Sequence, residues 1–335
     1  MSSLLYLFAG NQELARTYLR SFRLVIAAEL IFVLVLACAG LVYEQRARTL
    51  DAAQFRPPGR MIDLGGYKLH LFCTGSGAPT VVLEHGHGAT YLDWHLVQPK
   101  LSEFARVCSF DRAGYGWSDP SPQPRLPSMM AEELRKLLEA AGEKPPYILV
   151  GHSFGGLDAI IFAHKFPSDV AGVVLVDSSH PDVLRQSSWQ SRCWLRLMQF
   201  TMPFGLPRLR GWCGGGPQES LRIKRALNCR SENIRTILRE EEAFASAAQE
   251  IREMANLASL PLIVVARDPA TGPDAASAAS HTQHQRALTE LSRDSKFVIA
   301  QGSGHDIPLA RPEVIVESVR SLIKLREQAD SRGTP

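Results

Sequence analysis

The sequence predicts an α/β protein: a mostly parallel sheet of eight strands, flanked by helices, with a helical cap inserted after the sixth strand. Three observations carry this. Short apolar runs recur at Thr80 to Leu83, Val107 to Phe110, Tyr147 to Val150, Val173 to Val176, Leu262 to Ala266 and Phe297 to Ala300. Such runs are the pattern of strands buried on both faces. Strand, glycine-flanked turn and helix follow one another without a break from Pro146 to Phe166. The stretch between the sixth and seventh runs, 178 to 258, is too long for a loop and carries helical spacing.

At 335 residues, 45% hydrophobic and 21% charged, the chain can bury one large core plus an insertion. A net charge of +3 with dispersed Lys and Arg gives no basic stripe, so nucleic acid is not an expected partner. The six cysteines include no C-x-x-C pair and the His and Cys spacings match no zinc pattern, so no metal is expected.

The first element is Leu24 to Tyr43, whose only charge is Glu29. Twenty residues at helical rise span about 30 Å, the thickness of a bilayer core. A single-pass anchor is the leading reading; a cleaved signal, a lipoprotein signal ending at Cys38 and a buried soluble helix are its alternatives. Arg16, Arg20 and Arg23 precede the span and Arg46, Arg48, Arg56 and Arg60 follow it, so charge barely orients it. The cluster directly before the span tips the reading to an extracytoplasmic domain. Residues 1–48 are then tail and anchor, 49–60, ending in Pro57-Pro58-Gly59, a polar linker, and 61–335 the main domain.

Met61 to Leu64 and Tyr67 to Cys73, separated by Gly65-Gly66, read as a hairpin of edge strands. Thr80 to Leu83 then delivers Glu84-His85-Gly86-His87-Gly88 to one end of the sheet. A turn there is suited to aim a backbone N–H at a developing oxyanion, and His87 is the residue placed to give it. The histidines flank the turn as hydrogen-bonded loop residues. Tyr91 to Phe104 reads as a helix interrupted near Pro99. Ser128 is placed to cap an amphipathic helix that Gly142 ends.

The chemistry centres on Gly151-His152-Ser153-Phe154-Gly155. A strand that turns sharply into a helix forces the central residue into a strained backbone conformation, and glycines flank it because a side chain would strike the neighbouring elements. Ser153 is thereby exposed at the helix amino terminus, where free N–H groups favour negative charge. The Phe154 N–H is the second oxyanion donor. A serine hydroxyl needs a base with a pKa near the working pH, and His305, between small residues just past the last strand, is the natural one.

The turn at 85 to 88, the segment Asp111-Arg112-Ala113-Gly114-Tyr115-Gly116-Trp117-Ser118 and the elbow at 151 to 156 together resemble the α/β-hydrolase superfamily, in its branch of serine esterases, epoxide hydrolases, dehalogenases and carbon–carbon bond hydrolases. The similarity covers roughly residues 60 to 325 and leaves residues 1 to 50 unexplained. It implies a Ser-His-Asp triad of Ser153, His305 and an acid, and no cofactor. It also implies a bracing role for Asp111 and Arg112. The family's usual acid, three residues past the glycine closing the seventh strand, falls here on Ala270. Asp177, directly after the sixth strand, resembles the dehalogenase-like arrangement and is preferred; Asp268 is the alternative, and both it and Asp274 would need a rearranged loop.

The activity this implies is hydrolysis of a carboxylic ester through an acyl-enzyme. Amide, peptide or carbon–carbon bond cleavage on the same triad, and a non-catalytic ligand-binding protein, are the alternatives. Epoxide hydrolysis and dehalogenation are disfavoured, because those relatives carry aspartate where this chain has Ser153. Cap helices are expected over Trp189 to Phe200, Glu219 to Leu227 and Glu232 to Met254. Trp189, Trp194, Met198, Phe200, Met202 and Phe204 either line an apolar substrate pocket or pack the cap onto the body. An oxidising compartment would join one pair among Cys193, Cys213 and Cys229, whereas Cys73 and Cys108 are expected as core residues.

Overall fold

The computed structural model describes residues 2–254 and 256–332. In chain order the elements are α1 (Ser2–Gln54), β1 (Arg60–Asp63), β2 (Lys68–Thr74), β3 (Thr80–Glu84), α2 (Gln98–Ser102), β4 (Val107–Phe110), α3 (Pro127–Ala141), β5 (Tyr147–His152), α4 (Phe154–Lys165) and β6 (Val170–Val176). The cap contributes α5 (Trp189–Thr201), α6 (Leu206–Leu209), α7 (Glu219–Asn228) and α8 (Ser231–Met254). The chain closes with β7 (Leu262–Arg267), α9 (Ala275–Ala287), β8 (Ser295–Ala300), α10 (Ile307–Ala310) and α11 (Pro312–Arg332).

The eight strands form one sheet in the order β1-β2-β4-β3-β5-β6-β7-β8, antiparallel at β1/β2 and β2/β4 and parallel elsewhere. Strand β5, at its centre, is buried along its whole length. Its side chains alternate between two cores, as a period of two requires: Leu149 joins Leu134, Leu157 and Phe162 on one face, and Ile148 and Val150 join Leu101, Ile315 and Val319 on the other. Because β3 to β8 run parallel, their carboxyl ends share one rim, where the loops carrying Ser153, Asp177 and the 85–88 turn emerge.

Several local expectations need correcting. The helix Tyr91 to Phe104 is instead a 3-10 turn at Tyr91–Trp94 followed by α2. Ser128 does not cap α3: Pro127 opens that helix after Leu126, and the Ser128 N–H and hydroxyl donate to Glu250 of α8 at 3.0 and 2.8 Å. Gly142 does end it, in the left-handed conformation at φ 79°. The proposed linker 49–60 is helical as far as Gln54, because the polar face of those last turns has partners in the cap. Cys108 is a core residue with Cys73 packed against that core, as expected, and facing one another across β2 and β4 the two also form a disulfide. A second disulfide joins Cys213 and Cys229, leaving Cys193 free and exposed. Residues 333–335 of the expected main domain lie outside the described residues.

Helix α1 holds the expected span Leu24 to Tyr43 and is the one described helix long and apolar enough to cross a membrane. Its carboxyl-terminal turns dock on the cap. A side chain at Gly40 would lie 2.5 Å from the Phe204 carbonyl oxygen, so only glycine allows the approach. Glu44 and Arg208, both buried, pair at 2.9 and 3.1 Å, Asp51 adds 2.7 Å to the same guanidinium, and Arg48 reaches Glu232 of α8 at 2.9 Å.

Candidate active site

Ser153 joins β5 to α4 at φ 54° and ψ −121°, a region that costs a non-glycine residue strain. The strain is held in place by packing and by the Ser153 N–H bond to Val176 O at 3.0 Å. A side chain at Gly151 would come within 2.5 Å of Gly155 O, and one at Gly155 within 2.6 Å of Glu84 O. Both flanking glycines are thus obligatory.

His305, on the loop after β8, sets its Nδ1 2.6 Å from Asp177 Oδ2. The Asp177 carboxylate also accepts from His281 Nε2 on α9 at 2.7 Å and from the Arg267 N–H at 3.1 Å. Burial opposes ionisation of Asp177, but the hydrogen bonds from His281 and His305 win and hold it well below the usual carboxylate range. An ionised carboxylate only accepts, so both ring nitrogens facing it carry protons. His305 Nε2 is therefore the unprotonated nitrogen of the neutral ring. The His305 ring lies against His152 of the elbow, centroids 4.8 Å apart, and the His305 carbonyl accepts from His152 Nε2 at 3.0 Å. Among the described residues, no hydrogen bond joins the Ser153 hydroxyl to His305.

Asp268, the alternative acid, is engaged elsewhere. It is half-buried, and its two oxygens take the N–H groups of Gly302 at 2.7 Å and Ala270 at 2.9 Å. Asp274 caps α9 through Ser277. His281 was not anticipated from the sequence, and no motif surrounds it: 104 positions separate it from Asp177, and only the packing of α9 against β7 brings them together.

The 84–88 turn rests on a buried charged cluster. Arg112 donates to the carbonyls of His85 and, at 3.2 Å, Gly86, and pairs with Glu240 of α8 at 3.3 Å. Glu240 also accepts from His87 Nδ1 and Tyr115, each at 2.8 Å. In a trans peptide C=O and N–H point in opposite directions, so fixing Gly86 O on Arg112 turns the His87 N–H away from the guanidinium. On that turn Gly86 abuts the nucleophile: a side chain there would lie 3.1 Å from Ser153 Cβ. Burial and the Arg112 charge push His85 down to about 3, so it is neutral, and its Nε2 accepts from the Arg112 N–H at 3.2 Å. Asp111 takes the Tyr91 and Trp117 N–H groups at 2.8 and 3.0 Å and His70 at 2.8 Å, which braces the 111–118 turn.

Beneath the turn, Glu84 and Asp158 lie side by side and fully buried. Burial first, and then mutual repulsion, raises Asp158 well above its ordinary value, and burial pushes Glu84 up to about 7 against the pull of Arg112. Neither Asp158 oxygen has a hydrogen-bond partner among the described residues, and the nearest cation is Arg112, whose Nε lies 3.8 Å from Oδ2.

A family model described as "alpha/beta hydrolase fold" matches residues 79–200. An AB hydrolase superfamily protein of Gibberella zeae is 27% identical over 281 residues, covering 74% of this chain and 87% of that protein. YbdG of Bacillus subtilis is 29% identical over 168 residues, half of this chain, which spans only 52% of that relative. Among solved structures, a lipase-titled protein of Acinetobacter baumannii superposes with a TM-score of 0.64 at 18% identity, over 85% of this chain and 97% of that one. Sheet order, elbow and inserted cap are those of the α/β-hydrolase fold, and the family model of that fold matches residues 79–200.

Proposed function

We propose that this protein is a membrane-anchored serine hydrolase that cleaves a carboxylic ester through an acyl-enzyme. The observation that carries the reading is the 2.6 Å contact between His305 Nδ1 and a buried, ionised Asp177, on a loop packed against the elbow that presents Ser153. With Nδ1–H committed to Asp177, Nε2 is left to take the Ser153 proton as Oγ attacks the ester carbonyl. The tetrahedral oxygen gathers negative charge, and the His87 and Phe154 N–H groups are its donors. His305 returns the proton to the departing alkoxide, then takes one from water; the hydroxide attacks the acyl carbon, and His305 gives that proton to Ser153 Oγ as the acid product leaves. Apo triads commonly close the serine–histidine bond only on substrate binding, so the open Ser153 hydroxyl is compatible with this scheme.

Two disulfides favour a domain outside the cytoplasm, where thiols are oxidised. The test is turnover of short- and long-chain p-nitrophenyl esters together with fluorophosphonate labelling at Ser153. Neither turnover nor labelling would leave a ligand-binding role; labelling without ester turnover would move the assignment to amides or carbon–carbon bonds.

A further inference from the structure

The six apolar cap residues that could have lined a pocket divide differently in the structure. Met198 and Met202 fill the small core of the cap with Cys213, Cys229 and Leu238. Trp189 and Phe200, by contrast, are 75% and 71% exposed, and Trp194 and Leu197 are exposed with them. Trp189, Cys193, Leu197 and Phe200 recur at spacings of four, four and three, one stripe along α5 on which the exposed Arg196, four residues before Phe200, also lies. In a protein surrounded by water on all sides such a stripe is a liability.

Charge and position say what covers it. From Val183 to Gln218 the chain has no acidic residue and five arginines, of which Arg185, Arg196 and Arg210 are exposed. A helix with aromatic residues on one side and arginines beside them suits the boundary between acyl chains and anionic headgroups. The turn Met202–Phe204 follows α5 directly, and Phe204 of that turn packs on Gly40. Gly40 lies inside the apolar span, three residues before its end at Tyr43, about one helical turn. An element fixed to Gly40 sits within that distance of the membrane surface, and the Glu44–Arg208–Asp51 cluster prevents it from swinging away.

We propose that α5 is an interfacial helix, seated in the headgroup region of the same bilayer that α1 spans, with Trp189, Trp194, Leu197 and Phe200 toward the acyl chains. The cap is then a second membrane contact. This rests on α1 being a membrane span, part of the function proposed above, and the test separates the two claims. Cys38 in the span and Cys193 on the stripe are free and exposed, while the other four of the six cysteines are in disulfides. Full-length Cys38→Ser carries the environment-sensitive dye NBD at Cys193, and full-length Cys193→Ser carries it at Cys38. Both are reconstituted into vesicles of phosphatidylcholine and phosphatidylglycerol.

The expected result at Cys193 is a blue shift relative to the urea-unfolded protein, with quenching stronger by lipids spin-labelled at about 5–10 Å depth than by those labelled at the bilayer centre. The Cys38 dye, five residues or about 7.5 Å inside the span, should be quenched by the lipids at a comparable depth. Quenching at Cys38 without any at Cys193 overturns the interfacial helix and leaves the anchor standing. A blue shift at Cys193 without lipid quenching also overturns it, because a protein partner or second copy then covers the stripe. No quenching at either position removes both claims.

Discussion

His281 and His305 bond opposite oxygens of a single carboxylate, Asp177, at 2.7 and 2.6 Å. His281 stands away from Ser153, on α9, so its part is to orient and solvate the acid. Replacing it with Phe removes one of two side-chain donors to a buried charge, a loss of about 1.5–3 kcal/mol. We expect kcat to fall at least roughly tenfold with KM little changed, and His281→Gln, which can still donate, to recover part of the rate. Steady-state kinetics of the three proteins decide it; a change confined to KM would move His281 to substrate binding.

The two candidate acids make opposite predictions. Asp177→Asn should lower kcat by roughly 10⁴ at matched stability, since an amide facing Nδ1 favours the wrong imidazole tautomer. Asp268→Asn should stay within about tenfold of the unmodified enzyme, because it loses only a loop brace on Gly302 and Ala270. A crippled Asp268→Asn would reverse the assignment.

Ser153→Ala should abolish fluorophosphonate labelling and leave the fold intact, since the lost group is a hydroxyl without a hydrogen-bond partner among the described residues. At His87 side chain and backbone separate. His87→Ala breaks the bond to Glu240 and should cost stability, about 1–3 kcal/mol, with most activity retained. His87→Pro removes the N–H and should cut kcat by a further 10² or so.

The buried Glu84–Asp158 pair gives stability a pH dependence of known sign. Glu84 titrates at its ordinary 4.5 when unfolded and at about 7 when folded, so between those values the folded protein binds more protons. Stability therefore falls as pH rises through that window. Glu84→Gln should shrink the fall in Tm between pH 5 and pH 8, leaving the part due to Asp158. An unchanged Tm–pH slope in differential scanning fluorimetry would rule Glu84 out as its source.

Breaking the latch between α1 and the cap should show the asymmetry of buried ion pairs. Glu44→Ala leaves Arg208 with Asp51 alone and should destabilise by about 3 kcal/mol, whereas Glu44→Ala with Arg208→Met should cost less than the single change. Thermal unfolding of the detergent-solubilised chain compares them.

Much of this site could be read along the chain because its constraints are local. The glycines beside Ser153 are dictated by a turn five residues long, and the end of α3 by Gly142. His305 and Asp177 each follow an apolar strand at the same rim. What could not be read depends on register or on distant packing. Cys73 and Cys108 meet only because β2 and β4 pair at those residues. His281 sits on a helix with no apolar stripe to announce it, and the helical residues 49–54 hold their shape through partners in the cap. Ser128 misled because a serine beside Pro127 has the composition of a cap while its hydrogen bonds go to Glu250.

Glu240 gives the architecture a consequence for evolution and engineering. It belongs to the cap, yet it is the anion on which Arg112, and through Arg112 the carbonyls of the 84–88 turn, depend. A chimera that grafts a relative's cap onto this body would leave the Arg112 guanidinium with the turn carbonyls and a 3.8 Å pairing to Asp158 unless the graft also supplied a carboxylate at that point. Cap and turn are therefore inherited as one unit: a lineage that keeps Arg112 must keep a carboxylate facing it as its cap changes.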